Sequence, residues 1–173
     1  SEAMQVQIQH YLQRARIAAQ RDSVVFRTQV TPVLERMERV TAKLNPSFNI
    51  AFRNVLPDAV FAGEKEDLEE IVGNLLENAG KWGRRRIKIV LRPAADVQRQ
   101  FEILIEDDGP GLAPDKIDAA LKRGNRVDET KPGTGLGLAI VQDTVREYGG
   151  SLFLGKSNLG GLQVRVVLPL TED

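Results

Sequence analysis

At 173 residues the chain is long enough for one domain with a substantial core, or for one domain and a short appendage. Its 24 basic and 24 acidic side chains cancel, which excludes a global field that would gather nucleic acid or anionic lipid, so any basic residue that matters must act locally. The absence of cysteine excludes a disulfide scaffold and a thiolate metal site, no apolar run approaches the roughly 18 residues of a membrane span, and the N-terminus carries no signal-peptide pattern.

Met4, Ile8, Tyr11, Leu12, Ala15 and Ala19 recur at steps of three and four, which predicts a helix of about five turns with one apolar face in need of a partner. That partner is either the chain's own domain or a separate helix. Residues 24–30 predict a short strand, and Thr31 before Pro32 reads as an N-cap followed by proline at the first helical position. Val33, Met37, Val40 and Leu44 would form the buried stripe of that helix. Phe48, Ile50 and Phe52 alternate as in a half-buried strand, and Pro57 and Gly63 bracket a second, shorter one.

From Glu64 to Trp82 a broad apolar arc of Leu68, Ile71, Val72, Leu75, Leu76 and Ala79 predicts a core helix. Asn74, Asn78 and Lys81 fall together on a narrow polar stripe beside it. Ile87, Ile89 and Leu91 alternate in the next strand, and Phe101, Ile103 and Ile105 in the one after. Asp107 continues that inward series. A carboxylate pointing where three large apolar residues point either meets a specific partner or escapes into a turn as the strand ends. Residues 112–137 lack periodicity and are rich in charge, glycine and proline, so they read as a lid. Leu138, Val141, Val145 and Tyr148 mark a helix stopped by Gly149-Gly150. Leu152 and Leu154, then Leu162, Val164, Val166 and Leu168, flank a turn at 158–161 and predict a closing hairpin. Strands and helices without regular βαβ alternation imply an α/β (α+β) two-layer sandwich, one mixed sheet against about three helices.

Three blocks carry the chemistry: Asn74-Leu75-Leu76-Glu77-Asn78-Ala79-Gly80-Lys81, Asp107-Asp108-Gly109-Pro110-Gly111, and Gly133-Thr134-Gly135-Leu136-Gly137-Leu138. A single glycine cluster more often just supplies a turn, and the asparagine stripe alone could be a solvated helix face; the ordered combination spells a nucleotide site. It resembles the catalytic ATP-binding domain of bacterial sensor histidine kinases, in the Bergerat-fold (GHKL) ATPase group shared with gyrase, the heat-shock chaperones and MutL. The resemblance covers about residues 24–170. The stretch Arg123-Gly124-Asn125-Arg126-Val127-Asp128 with Pro132-Gly133 is similar to the lid of PhoQ-type sensor kinases.

The resemblance implies a role for each block. Asp107 would accept a hydrogen bond from the adenine amine and reject guanine, which offers a carbonyl oxygen there. Gly109 and Gly111 would let the backbone turn under the base. Trp82, where the family often has tyrosine, is either an aromatic wall for adenine or a core residue at a helix end. Asn74 and Asn78, one turn apart, can both direct amide oxygens to one Mg²⁺ without adding negative charge beside the triphosphate, and Lys81 can meet a phosphate. Backbone N–H groups of Gly133, Thr134, Gly135, Leu136, Gly137 and Leu138 would form an anion site at a helix start. Arg123, Arg126 and Lys131 would neutralise phosphate charge, with Arg126 approaching the terminal phosphate. Four positions depart from the family: Leu121 for the usual phenylalanine, Thr134 for a glutamine of some members, the small Gly80, and Leu162 or Gln163 where a threonine often supports the adenine aspartate.

The resemblance further implies a division of the chain. Residues 1–22 would be the remnant of the second helix of a dimerisation and histidine-phosphotransfer bundle, and residues 23–173 the catalytic domain. Hydrolytic relatives place a glutamate four residues before the metal-binding asparagine as general base. Here that residue is Asn74, whose amide cannot take a proton, so the reading moves from hydrolysis to phosphotransfer. His10, the only histidine, lacks the acidic neighbour and Arg-Thr-Pro sequence of a phosphoacceptor box and is expected to be structural or solvated. The expected function is transfer of the ATP γ-phosphoryl group to a histidine upstream, for relay to a response regulator, in the cytoplasmic part of an inner-membrane receptor. A degenerate nucleotide-binding module and a hydrolytic ATPase are the alternatives.

Overall fold

The computed structural model describes residues 2–20, 26–95, 98–113, 115–117 and 134–171. The elements run α1 (Glu2–Gln20), β1 (Thr28–Gln29), α2 (Val30–Leu44), β2 (Asn49–Asn54), β3 (Val60–Phe61), α3 (Lys65–Trp82), β4 (Arg86–Pro93), β5 (Gln100–Asp107), α4 (Thr134–Glu147), β6 (Ser151–Lys156) and β7 (Leu162–Pro169). Five strands form one sheet in the order β2-β4-β5-β7-β6, with β2 parallel to β4 and the other pairs antiparallel. β1 and β3 make a separate antiparallel pair. The expected mixed sheet on helices is therefore what forms.

Alternation decides which face of the sheet is dry. Ile87, Ile89 and Leu91 of β4, Phe101, Ile103 and Ile105 of β5, and Val164, Val166 and Leu168 of β7 all point into one core with Leu68, Ile71, Val72, Leu75 and Leu76 of α3. α3 lies across β5, between α2 and α4. Phe61 fills the end of this core, edge-on to Phe101 at 6.2 Å and tilted against Tyr148 at 4.9 Å.

The outer face of β5 is buried as well, which its alternation does not announce: Glu102, Leu104 and Glu106 are all shielded. Long side chains of neighbouring strands lie over them. The Glu102 carboxylate accepts from Arg92 at 2.6 Å and Arg165 at 3.4 Å, Arg165 stacks 4.1 Å over Phe153, and Ser157 donates to Glu106 at 2.9 Å. Glu102→Ala should lower the unfolding free energy by about 2–4 kcal/mol, since two charge-assisted bonds vanish and the stem leaves a gap. Urea melts that match the wild type would refute this.

The start and the buried stripe of α2 differ from expectation. α2 begins at Val30 with Gln29 as its cap, and no side chain closes that end. Thr31 instead donates to the Pro57 carbonyl at 2.8 Å and accepts from Asn54 at 2.9 Å, because tertiary partners outcompete the local cap. The buried stripe is Val30, Val33, Leu34 and Thr41, while Val40 and Leu44 are exposed. The start of the strand expected over 24–30 lies outside the described residues, and only Thr28–Gln29 is extended. By contrast α4 stops as its glycines dictate. Gly149 has φ 75°, Gly150 N–H bonds the Val145 carbonyl and Gly149 N–H that of Arg146, a Schellman close.

Candidate nucleotide site

Asp107 does not escape into a turn. Its side chain is 4% exposed and finds specific partners: Oδ1 accepts from the Gly109 N–H at 2.9 Å and the Leu162 N–H at 3.3 Å. Burial pushes the carboxyl above its ordinary range, the two N–H bonds oppose that, and the neighbouring Asp108 charge adds to it. The cradle is tight enough to require glycine at two points. A Cβ on Gly109 would lie 2.1 Å from the Trp82 carbonyl oxygen, and one on Gly161 2.1 Å from Asp107 Oδ1. Gly161 also donates its N–H to the Asp107 carbonyl at 3.1 Å. Gly111 turns the chain away with φ 71°.

Gly161 and Leu162 are the residues that sequence reasoning undervalued. Gly161 reads as an ordinary hairpin glycine, and only the folded hairpin brings it against a strand some fifty residues earlier. Leu162 stands where a threonine side chain was expected to support the aspartate, and the support comes from its backbone N–H instead, a contribution any residue could make.

On α3 the polar stripe faces the start of α4. Asn74 donates its amide nitrogen to the Glu70 carbonyl at 2.9 Å, which fixes the orientation of the amide and leaves Oδ1 as an acceptor with no donor among the described residues. That oxygen lies 3.8 Å from where a Cβ of Gly137 would stand. The first and third blocks, sixty residues apart, thus meet. Asn78 is half-buried with its amide nitrogen lacking a partner among the described residues, and Lys81 pairs with Glu77 at 3.3 Å one turn back. Trp82 is half-buried at the last position of α3, with its carbonyl pressed on Gly109. Thr134, Gly135, Leu136 and Gly137 are the first four residues of α4, whose N–H groups have no partner within the helix. Leu138 differs: its side chain is 2% exposed in the core, and its N–H falls within the helical ladder. Its contribution is to anchor the helix start. Arg123, Arg126, Lys131 and Gly133 lie outside the described residues, as does most of the expected lid.

The N-terminal helix approaches the same two helices, and of the two partners left open for its apolar stripe, the chain's own domain is not the one the stripe meets. Ile8, Tyr11 and Leu12 are 56%, 66% and 61% exposed, whereas His10 and Ile17 are buried. His10 Nε2 is 3.3 Å from Asp143 of α4, Gln13 donates to Asp67 at 2.5 Å and Glu70 at 3.3 Å, and Arg14 pairs with Glu147 at 3.1 Å. Tyr148 also donates to Asp67, so this fully buried carboxylate joins α1, α3 and the end of α4. A cavity of about 390 Å³ beneath α1 is lined by His10, Gln13, Asp67, Glu70 and Asn74 among others. Of the structural and solvated places its sequence setting allowed, His10 takes the buried one, against Asp143.

The geometry can be set beside known proteins. Residues 63–172 match the family described as histidine kinase-, DNA gyrase B- and HSP90-like ATPases. The chain is 33% identical over 166 residues to the sensor protein PhoQ of Escherichia coli K12, an alignment covering 93% of this chain and 33% of that protein. It is 45% identical over 110 residues to the sensor protein kinase CarS of Pseudomonas aeruginosa, covering 64% of this chain and 24% of that one. The chain thus spans about a third or less of the length of these curated relatives. The solved structure of the mycobacterial sensor histidine kinase MprB superimposes with a TM-score of 0.73 at 27% identity, over 85% of this chain and 98% of that one. Sheet order, the placement of the three blocks and these matches agree, and the chain belongs to the histidine kinase-, DNA gyrase B- and HSP90-like ATPase family, as a homologue of the ATP-binding catalytic domains of sensor histidine kinases.

Proposed function

We propose that the chain is the catalytic domain of a two-component sensor histidine kinase, passing the γ-phosphoryl group of ATP to a histidine on a dimerisation bundle for relay to a response regulator. The observation that carries this reading is that α3 meets both other blocks: its Asn74 oxygen faces Gly137 at the start of α4, and Trp82 at its end is pressed on Gly109 beside the buried carboxylate of Asp107. Asp107 accepts from the adenine amine, with Gly109 and Gly111 shaping the floor and Trp82 the wall. Asn74 and Asn78 hold Mg²⁺, which neutralises phosphate charge when bound. Asn74 suits that ion, since its amide nitrogen is committed to the Glu70 carbonyl and its oxygen, the atom type Mg²⁺ takes, is turned the other way. Lys81, Arg123, Arg126, Lys131 and the N–H groups of 133–137 take the phosphates.

Transfer is favoured over hydrolysis because Asn74 occupies the base position and commits its amide to Glu70. α1 is the remnant of the second bundle helix. Its exposed stripe of Ile8, Tyr11 and Leu12 supports this, since such a stripe fits a second helix better than water. Among the described residues no helix is long and apolar enough to cross a membrane, so the proposed placement in the cytoplasmic part of an inner-membrane receptor depends on segments beyond this chain.

The test supplies labelled ATP with Mg²⁺ and a bundle carrying an acceptor histidine. The domain alone should turn over little and label the bundle only in trans, with His10→Ala unchanged. Arg126→Ala should slow transfer by about tenfold while shifting ATP affinity less, because the lid arginine meets charge that develops as the phosphoryl group moves. Label on His10, steady phosphate release without the bundle, or an unaltered Arg126→Ala rate would overturn the reading.

A further inference from the structure

The residue after the adenine aspartate has a role of its own. Asp108 turns away from the core, and one oxygen, Oδ1, accepts from three successive backbone N–H groups: Arg84 at 2.8 Å, Arg85 at 3.0 Å and Arg86 at 3.1 Å. Oδ2 adds a contact to Arg85 at 3.2 Å. These N–H groups belong to the turn that leaves α3 and enters β4. Among the described residues, no carbonyl of a turn or loop accepts from any of the three. Slight burial works against the charge here, but the N–H bonds of Arg85, Arg86 and Arg84 outweigh it and leave the carboxyl below its ordinary range.

The turn so held is one wall of the cradle around Asp107. A Cβ on Gly83 would stand 3.3 Å from Asp107 Cβ, and one on Gly109 would strike the Trp82 carbonyl oxygen. The segment from Trp82 to Arg86 and the segment from Asp107 to Gly109 are therefore in backbone contact, and Asp108 is the side chain that ties them.

Resting on the nucleotide-site reading above, we infer that Asp108 is a positioning residue for nucleotide binding: by gathering the N–H groups of Arg84, Arg85 and Arg86 onto one oxygen, it sets the separation between the end of α3 and the carboxylate of Asp107. The side chain itself faces away from Asp107 Oδ1 and acts through the turn. Because Oδ1 takes all three bonds and Oδ2 only a second, longer contact to Arg85, the amide oxygen of asparagine can reproduce the three and forfeits only that fourth contact.

The test is calorimetric titration of the full chain with ATP and Mg²⁺, alongside its thermal melt. Asp108→Ala should raise the ATP dissociation constant by roughly tenfold or more, and Asp108→Asn should restore it to within about twofold of wild type. Asp108→Ser, whose oxygen reaches only part of the set, should fall between and carries the test if the alanine variant does not fold. Glu102→Gln, on the far side of the sheet, is the control for stability loss without loss of affinity. Unchanged affinity in Asp108→Ala, equal weakening in the asparagine and alanine variants, or matching weakening in Glu102→Gln at the same melting temperature would each overturn the proposal alone. Failure of the wild type to bind ATP would overturn the site reading and this inference with it.

Discussion

Asp107→Asn should weaken ATP binding by roughly ten- to a hundredfold and leave the protein as stable as before or slightly more so. The two effects have different causes. Asparagine keeps an oxygen to accept from Gly109 and Leu162, so the cradle holds its shape. It loses the negative charge that makes the acceptor strong towards an amine. The sign for stability follows from the raised carboxyl. A carboxylate whose value rises on folding adds stability below the ordinary range and loses it as pH climbs through the raised value, so near neutrality ionised Asp107 is a net cost. Removing the charge removes that cost. The same shift predicts that ATP affinity in the wild type falls on acidification sooner than an ordinary carboxylate would allow, because protonation takes away the acceptor. Calorimetry and thermal melts at neutral pH decide the matter; equal ATP affinity in the variant would remove Asp107 from base recognition.

Gly161→Ala should abolish measurable ATP binding and destabilise the domain by about 1–3 kcal/mol. The added carbon would stand 2.1 Å from Asp107 Oδ1, 2.6 Å from the Asp107 carbonyl oxygen and 2.6 Å from the Gly109 nitrogen. Two of these neighbours are backbone and cannot step aside, and the third is the carboxylate proposed to read the base. Relief requires the hairpin to lift off β5, which opens the cradle. Gly155→Ala on the same hairpin is the matched control, since nothing lies within 4 Å of its added carbon. Gly155→Ala should melt with the wild type or slightly above it and bind ATP normally. A Gly161→Ala protein that binds ATP as the wild type does would show that the hairpin is not part of the pocket.

Much of this protein is written in local pattern. The arc on α3 and the alternation of β4, β5 and β7 determine the core, because burial of a helix stripe and of one sheet face depends only on periods of 3.6 and 2. The inward place of Asp107 follows from the same period. So does the stop of α4, since a glycine at positive φ needs no distant partner.

What local pattern does not hold is any choice between equally apolar or equally polar partners. α1 has an apolar stripe, and its period is right, yet the helix meets the domain through His10, Gln13, Arg14 and Ile17 because Asp143, Asp67, Glu70 and Glu147 await it there. Thr31 has the chemistry of a cap and spends its hydroxyl on Pro57, a residue on another loop. Glu102 occupies a face that alternation assigns to water, and arginines from two neighbouring strands enclose it. Gly161 reaches Asp107 only because β7 lies beside β5. By itself the sequence determined the elements, the core and the three blocks of the site, all of which rest on spacing along the chain. Tertiary structure alone decided which glycine presses on Asp107, which face of α1 is covered and which carboxylate holds the turn at 84–86, because each depends on the distance between segments that only folding brings together.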